Sequence, residues 1–435
     1  MVSPDLPKAG GAKRKQKRIL LAIASLVLLY VGSYFLLSVQ GEYRSEMSGK
    51  KRYSFGLARF DIGLWQPKYT YAQRFLNING RYEFRANLLG CLYWPLIVID
   101  RHFYHKTLEE KVYVYGYINR TGGYVVKPIF DDASTFSEGL SPIKINNKYG
   151  YINRSGQYLI EPAFDWAGSF SEGLAAVQVN GKRGFVDISG KVVIEPQFDV
   201  AINFSEGRSL IENNFLYGYV DANGICVIEP QFRWAGDFSE GLAYVKDSNE
   251  EYGYINESAD FIIEPQFTRA SHFTEGMAAV SIGQKWGYID KTGTFIVNPQ
   301  FVWGRDYSEG LAAVKIGDLN DGLWGYINKQ GEWVIEAKYR SAGSFSEGLA
   351  AVENGDKKYG YIDKTGAFVI EPRFDYAMKF SDGLAAVGVE NQQGLPPQLK
   401  WGYINKYGEF VIEQRYDTVG PFSEGLAYVG MEVKK

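Results

Sequence analysis

The chain has 435 residues, with 47 basic against 50 acidic residues and 16% aromatics, 32 Tyr and 27 Phe among them. So much apolar and aromatic material excludes a disordered chain and favours packed β structure. Charge is unevenly spread: residues 111–435 hold 30 Lys and Arg against 42 Asp and Glu, and an acidic region of this kind argues against nucleic acid, which requires a cationic surface.

In chain order, residues 1–18 form a basic tail, with Lys8, Lys13, Arg14, Lys15, Lys17 and Arg18 against Asp5. Residues 19–39, ILLAIASLVLLYVGSYFLLSV, carry no charge. A helix of this length spans roughly 30 Å, the apolar thickness of a bilayer. It is longer than the apolar core of a signal peptide, and SVQGEY after it is a poor cleavage site. The expectation is an uncleaved single-pass anchor with the basic tail in the cytoplasm and the bulk of the chain outside it.

Residues 40–110 match no pattern and are left as an unassigned juxtamembrane or capping region. Within them LLGCLYWPLIVI (88–99) is short and contains Pro95, which suits a buried or interfacial segment. Were it a second span, the remainder would return to the cytoplasm.

From residue 111 onward the chain repeats. Nine G-[YF]-[IV]-[ND] cores begin at Gly116, Gly150, Gly184, Gly218, Gly253, Gly287, Gly325, Gly360 and Gly402, at spacings of 34, 34, 34, 35, 34, 38, 35 and 42. A second motif, usually FSEGL, keeps step from Phe136 to Phe422. Each unit holds three short apolar runs, such as YGYIN (252–256), FIIEP (261–265) and MAAVSI (277–282), and no stretch with helical spacing. Such runs read as strands. The polar tetrads after the core (NRTG, NRSG, DISG and so on) open with Asn or Asp and close with Gly in every unit but one. They predict a type I turn with a glycine bulge between antiparallel strands. Ala259 is the exception, so its turn is expected to be strained or differently shaped.

The prolines at 162, 196, 230, 265, 299 and 372 are expected to end the second strand. The apolar run before them lacks alternation, which implies cover on both sides. The glycine of the core, Gly287 for example, implies either a special backbone dihedral or close approach of the neighbouring aromatic. Insertions before Trp324 and Trp401 fall on one hairpin, opposite the FSEG tip, where partner specificity could be added.

WGYIDKTG, together with IEPQF and FSEGLAAV, resembles the WG (KWG) repeat family of bacterial proteins over residues 111–433. The resemblance implies tandem β repeats, often on secreted or membrane-anchored proteins, and no shared enzymatic activity. Departures are modest: Arg183 stands before the third glycine, Ala337 and Gln414 replace the proline, and Arg208 follows FSEG in place of Leu.

Candidate chemistry is sparse. His102 and His105 could share a helical face, but no further His or Cys completes a metal site around them or around His272. Cys91 and Cys226 allow at most one disulfide, with nothing in its favour. The acid row Glu138, Glu172, Glu206, Glu240, Glu275, Glu309, Glu347, Asp382 and Glu424 reads as turn structure, because catalysis needs one asymmetric site. The aromatic row of Trp286, Trp324 and Trp401 reads as packing, with sugar stacking as the alternative. The sequons at Asn119, Asn153 and Asn256 are by-products of the tetrads, and a fourth lies at Asn203.

The reading is therefore an all-β chain, a tandem array of nine three-stranded repeats (111–435) preceded by one membrane helix. An open array capped by EKVYVY (110–115) and MEVKK is favoured over a closed propeller-like ring. The expected function is a membrane-anchored, extracytoplasmic scaffold for another protein or an envelope component. A glycan-binding module and, more remotely, an enzyme are the alternatives. No catalytic residue, cofactor or metal is assigned.

Overall fold

The computed structural model describes residues 112–391 and 398–433 and, before them, four short strands. Glu42–Arg44 pairs antiparallel with Leu64–Gln66, and Ala72–Leu76 with Tyr82–Ala86. The expected membrane helix at 19–39 and the segment 88–99 lie outside the described residues, among which no helix is long and apolar enough to cross a membrane.

The tetrads turn the chain as their residues dictate. Asn153 Oδ1 accepts the amides of Ser155 and Gln157 at 3.0 Å each. The Gly156 N–H donates to the Asn153 carbonyl at 2.9 Å, and Gly156 sits at φ +84°. This is the type I turn with a glycine bulge. Ala259 makes the same bonds at φ +65°, so its turn is strained rather than reshaped.

The strand after each tetrad does not stop at the proline. Tyr158–Phe164 runs through Pro162 and pairs with Lys148–Asn153. Its register places Ile160 opposite Tyr151 and Phe164 opposite Tyr149, so two extra residues bulge out around the proline. A bulge on an edge strand is where a residue without an N–H is tolerated. The bulge also explains the glycine of the core. A Cβ on Gly150 would lie 2.7 Å from Pro162 N, and one on Gly287 would lie 2.7 Å from Pro299 N. What crowds the glycine is neighbouring backbone, not an aromatic ring. The expected cover on both sides is absent as well: in each of these strands the third residue is buried and the second exposed, Leu159 by 52% and Ile296 by 43%.

Each unit contains a fourth strand that its composition hides. In DWAGSF, Trp166–Ala167 forms a two-residue strand against Leu174–Val179. The sheet then continues through Lys182–Asp187 to Val192–Phe198. Nine such four-stranded sheets follow one another. We number them as blades 1 to 8 from Asp132 onward, with blade 9 at the seam. Short strands and adjoining residues of blades 1 to 4 border one common cavity, which marks the short strand as innermost.

Blade 9 overturns the open array. Its inner strands, Thr418–Val419 and Leu426–Val433, come from the end of the chain, and its outer ones, Val112–Asn119 and Tyr124–Phe130, from the start. Eight residue pairs join them, from Leu426 opposite Asn119 to Val433 opposite Val112. The segments expected to cap two free edges pair with each other instead, Met431 with Val114 and Glu432 with Tyr113. The closed alternative is the correct one: the repeats form a nine-bladed β-propeller, and closure removes both edges.

Between blades the core repeats as well. Tyr151 is fully buried, lies edge-on to Phe170 at 4.8 Å, and donates to the Gly168 carbonyl at 2.7 Å. Tyr117, Tyr219, Tyr254, Tyr288, Tyr326, Tyr361 and Tyr403 donate in the same way to the carbonyl 17 residues on. Each such bond ties a third strand to the next blade. Blade 2 has Phe185 there, and Ser209 Oγ donates to the equivalent Ile202 carbonyl at 2.7 Å.

Deleting residues 426–435 removes a strand from the seam and leaves the ring open. Thermal unfolding followed by far-ultraviolet circular dichroism should lose its cooperative transition or shift down by tens of degrees. Retention of most of the stability would fit independent stacked repeats instead.

Candidate functional site

The acid row occupies the FSEG tips. Glu172 and Gly173 are both left-handed, at φ +54° and +80°, and Ser171 and Leu174 exchange backbone hydrogen bonds across them. This is a type I′ turn with a glutamate where asparagine or glycine is usual. The conformation carries the carboxylate to the neighbouring blade, where Glu138 accepts the Gly173 N–H at 2.9 Å and Glu172 accepts that of Gly207. The relay runs through Glu206, Glu240, Glu275, Glu309, Glu347 and Asp382, and Glu424 closes it on Gly139 across the seam. The row is a structural joint.

Six cations of the tetrads lie against this row, on the same face of the ring: Arg120, Arg154, Lys291, Lys329, Lys364 and Lys406. Ile188, Ala222 and Glu257 hold the equivalent positions in the remaining tetrads. Glu257 is paired with Arg208 at 2.8 Å, which accounts for arginine at that departure from the repeat.

The aromatic row proves to be packing. Trp286 and Trp324 are buried, and Trp286 lies 5.4 Å from Trp303 of the next blade. A second aromatic row, hidden in the short strands, was not read from the sequence: Trp166, Trp234, Trp303 and Tyr376. Trp234 packs on Tyr217 at 5.3 Å, and Tyr376 on Trp401 at 6.1 Å. Arg183, the other departure, is buried with its guanidinium 3.9 Å from the centre of the Trp166 ring, and it donates to the Ala201 carbonyl.

On the opposite face lie the hairpins joining second and third strands. Asn180 and Gly181 turn one of them in left-handed conformations. At the position of Gly181 the next blade carries Phe215, left-handed at φ +66° and 75% exposed. A bulky residue in this region is strained by roughly 1–2 kcal/mol, and this one gains little burial in return. Leu319, in the longer hairpin of blade 6, is 61% exposed.

At the centre, blades 1 to 4 border an open cavity of about 400 Å³ whose walls include Asp132, Trp166, Ser169, Ile202, Asn203 and Asp237. Asp132 accepts the Tyr149 hydroxyl at 2.7 Å. Asp237 Oδ1 is buried with no hydrogen-bond partner. Burial pushes the Asp237 carboxyl above its ordinary range, and His272 partly opposes this. His272 Nδ1 lies 3.2 Å from the Asp237 carbonyl, and its ring lies 5.0 Å from that of Tyr244. A signal for this wall did exist in the sequence. The residue before each FSEG aromatic reads Thr135, Ser169, Asn203, Asp237, His272, Asp306, Ser344, Lys379 and Pro421, a varied position inside an otherwise uniform repeat.

Among the described residues no group of three or more His, Cys, Asp or Glu is placed to hold a metal ion. His102, His105 and Cys91 lie outside those residues. Cys226 is a free thiol whose pKa burial pushes up to about 11. The sequon asparagines 119, 153 and 256 spend their side chains on the tetrad turns, and Asn203 lines the cavity.

The family model described as WG containing repeat matches nine consecutive segments: residues 115–149, 149–182, 184–214, 217–250, 252–286, 286–319, 324–357, 359–392 and 401–432. No curated relative matches. Among solved structures the chain is similar to a eukaryotic initiation factor, with a TM-score of 0.50 at 12% identity over 74% of this chain and 98% of that one. It also aligns with BamB from Moraxella catarrhalis, with a TM-score of 0.36 at 10% identity over 70% of this chain and 99% of that one. The first of these likenesses concerns the fold alone.

One joint is incomplete. Ser171 Oγ donates to the Phe204 carbonyl at 2.8 Å, and seven other tip serines do the same around the ring, through Ser423 to Phe136. Thr274 stands in the ninth place with its Oγ1 buried and unbonded. Thr274→Ser frees the hydroxyl to reach the Tyr307 carbonyl. Relief of a buried unbonded hydroxyl is worth about 1–3 kcal/mol, against about 0.8 kcal/mol for the lost methyl. The variant should gain about 1 kcal/mol, seen as a higher denaturation midpoint at unchanged slope. A lower midpoint would contradict this account of the joint.

Proposed function

This chain belongs to the WG containing repeat family, and on that premise we propose that its propeller is a docking scaffold for another protein, held at a membrane by residues 19–39 with the repeats outside the cytoplasm. The observation that carries the docking reading is the apolar surface left on the hairpin face, where Phe215 is 75% and Leu319 61% exposed. Large apolar side chains presented on one exposed face are what a partner protein covers. The hairpin insertion that carries Leu319 lies on the same face and extends the contact surface. The joint that occupies the acid row leaves that row to structure, so the scaffold reading assigns the chain no catalysis. The glycan alternative is weakened by the pairing of Trp234, Trp303 and Tyr376 with aromatics of the preceding blades.

Phe215→Gly separates stability from docking. It should stabilise the full-length chain by about 1 kcal/mol, as relief of a left-handed side chain does. A photoreactive residue at 215 should give a discrete protein adduct in cells, and one at 181 should not. Equal labelling from both sites, or none from 215, would overturn the docking reading.

Topology is tested separately. A reporter active only outside the cytoplasm, fused after Lys435, should be active. An inactive fusion would reverse the placement and favour a second span at 88–99.

A further inference from the structure

The wall of the central cavity carries acidic side chains and no basic ones. The acids are Asp132 on blade 1 and Asp237 on blade 4. Neither carboxylate lies within ion-pair distance of a lysine or arginine among the described residues. Arg183, whose guanidinium lies over Trp166 of this wall, is engaged with that ring and the Ala201 carbonyl. Elsewhere in the ring, at the position just before the short strand, Asp165, Asp199, Asp375 and Asp417 each meet a lysine 17 residues earlier.

The two acids keep unused acceptor capacity. Asp237 Oδ1 is buried with no partner, a costly state for a charged group. Asp132 receives one N–H from Ala133 and one O–H from Tyr149, on different oxygens, and each oxygen keeps a second lone pair. Between them blades 2 and 3 present Trp166 and Ile202, an apolar middle. The volume of about 400 Å³ falls in the range of small-molecule sites, roughly 300–1,000 Å³.

We propose that this cavity binds a linear aliphatic diamine, with one ammonium on Asp237, the other on Asp132, and the methylenes across Trp166 and Ile202. An ammonium offers three donors and no acceptor, which matches two acceptor-only carboxylates. Two charges satisfy both walls at once, whereas a monoamine leaves one carboxylate bare, and an anion is repelled. The site does not depend on the docking reading, because it lies at the centre of the ring rather than on the hairpin face.

Isothermal titration calorimetry on the full-length chain tests it, with 1,5-diaminopentane, n-pentylamine and glutarate as probes. The diamine should bind saturably at one site. Pentylamine should bind at least about tenfold more weakly, the loss of one charge-assisted contact, and glutarate should give no heat of binding. Asp237→Asn and Asp132→Asn should each weaken the diamine by about tenfold or more. Asp306→Asn, at the equivalent position two blades from Asp237 and outside the cavity wall, should leave affinity unchanged. Asp132→Asn also loses its bond from Tyr149, so if that variant melts early, Asp237→Asn decides. Absence of saturable binding, equal affinity for the monoamine, or diamine binding that survives Asp237→Asn would overturn the assignment.

Discussion

Every blade is joined to the next by a carboxylate hydrogen bond at the FSEG tip, paired in eight of the nine joints with a serine hydroxyl bond, and the ring depends on that joint. The carboxylate takes the glycine N–H of the following tip, and the serine hydroxyl reaches a carbonyl of the following blade. The joint needs the glutamate in a left-handed turn, a conformation that a β-carbon resists. Nine repeated strained residues are sustained because each is held from two sides, by its own hairpin turn and by the next blade. Because the last carboxylate and the last serine close on Gly139 and Phe136, no tip is left without a neighbour.

Departures from the repeat show how the ring absorbs local loss. Where Phe185 lacks the tyrosine hydroxyl, Ser209 satisfies the Ile202 carbonyl from within the next blade, and Arg183 ties the two blades through the Ala201 carbonyl. Where Asp382 is one carbon shorter than glutamate, it still reaches Gly425 at 2.7 Å. Arg183, without an aromatic ring of its own, covers Trp166 with its guanidinium. Ala259 and Thr274 have no such compensation: one sits at a glycine dihedral, the other keeps a buried hydroxyl unbonded. Blade 9 differs by its length of pairing, eight residue pairs where two separate parts of the chain must find each other. That length offsets the entropy of closing a loop of several hundred residues, which grows only with the logarithm of its length.

Local chemistry was legible in the sequence wherever one residue type has one physical job. The tetrad turns, the second and third strands and the family all follow from Asn or Asp, Gly and short apolar runs. The short inner strand was hidden because two residues leave no periodicity to detect. The proline was misread because a bulge on an edge strand tolerates what a ladder does not. Closure could not be read locally, since Val112–Asn119 and Leu426–Val433 look alike as caps or as partners, and only their shared register distinguishes the two. At the centre, the varied residue before each FSEG aromatic was visible as a pattern. Its meaning needed the cavity, which gathers Ser169, Asn203 and Asp237 from three blades.

The central claim is that the chain closes into one ring whose seam is as firm as its other joints. Hydrogen–deuterium exchange read by mass spectrometry tests this most directly. Residues 112–119 and 426–433 should exchange as slowly as the third strand of an interior blade, such as Lys285–Ile289, and should open together with the whole ring. Seam peptides that exchange orders of magnitude faster than the interior blades would contradict closure and return the chain to an open array.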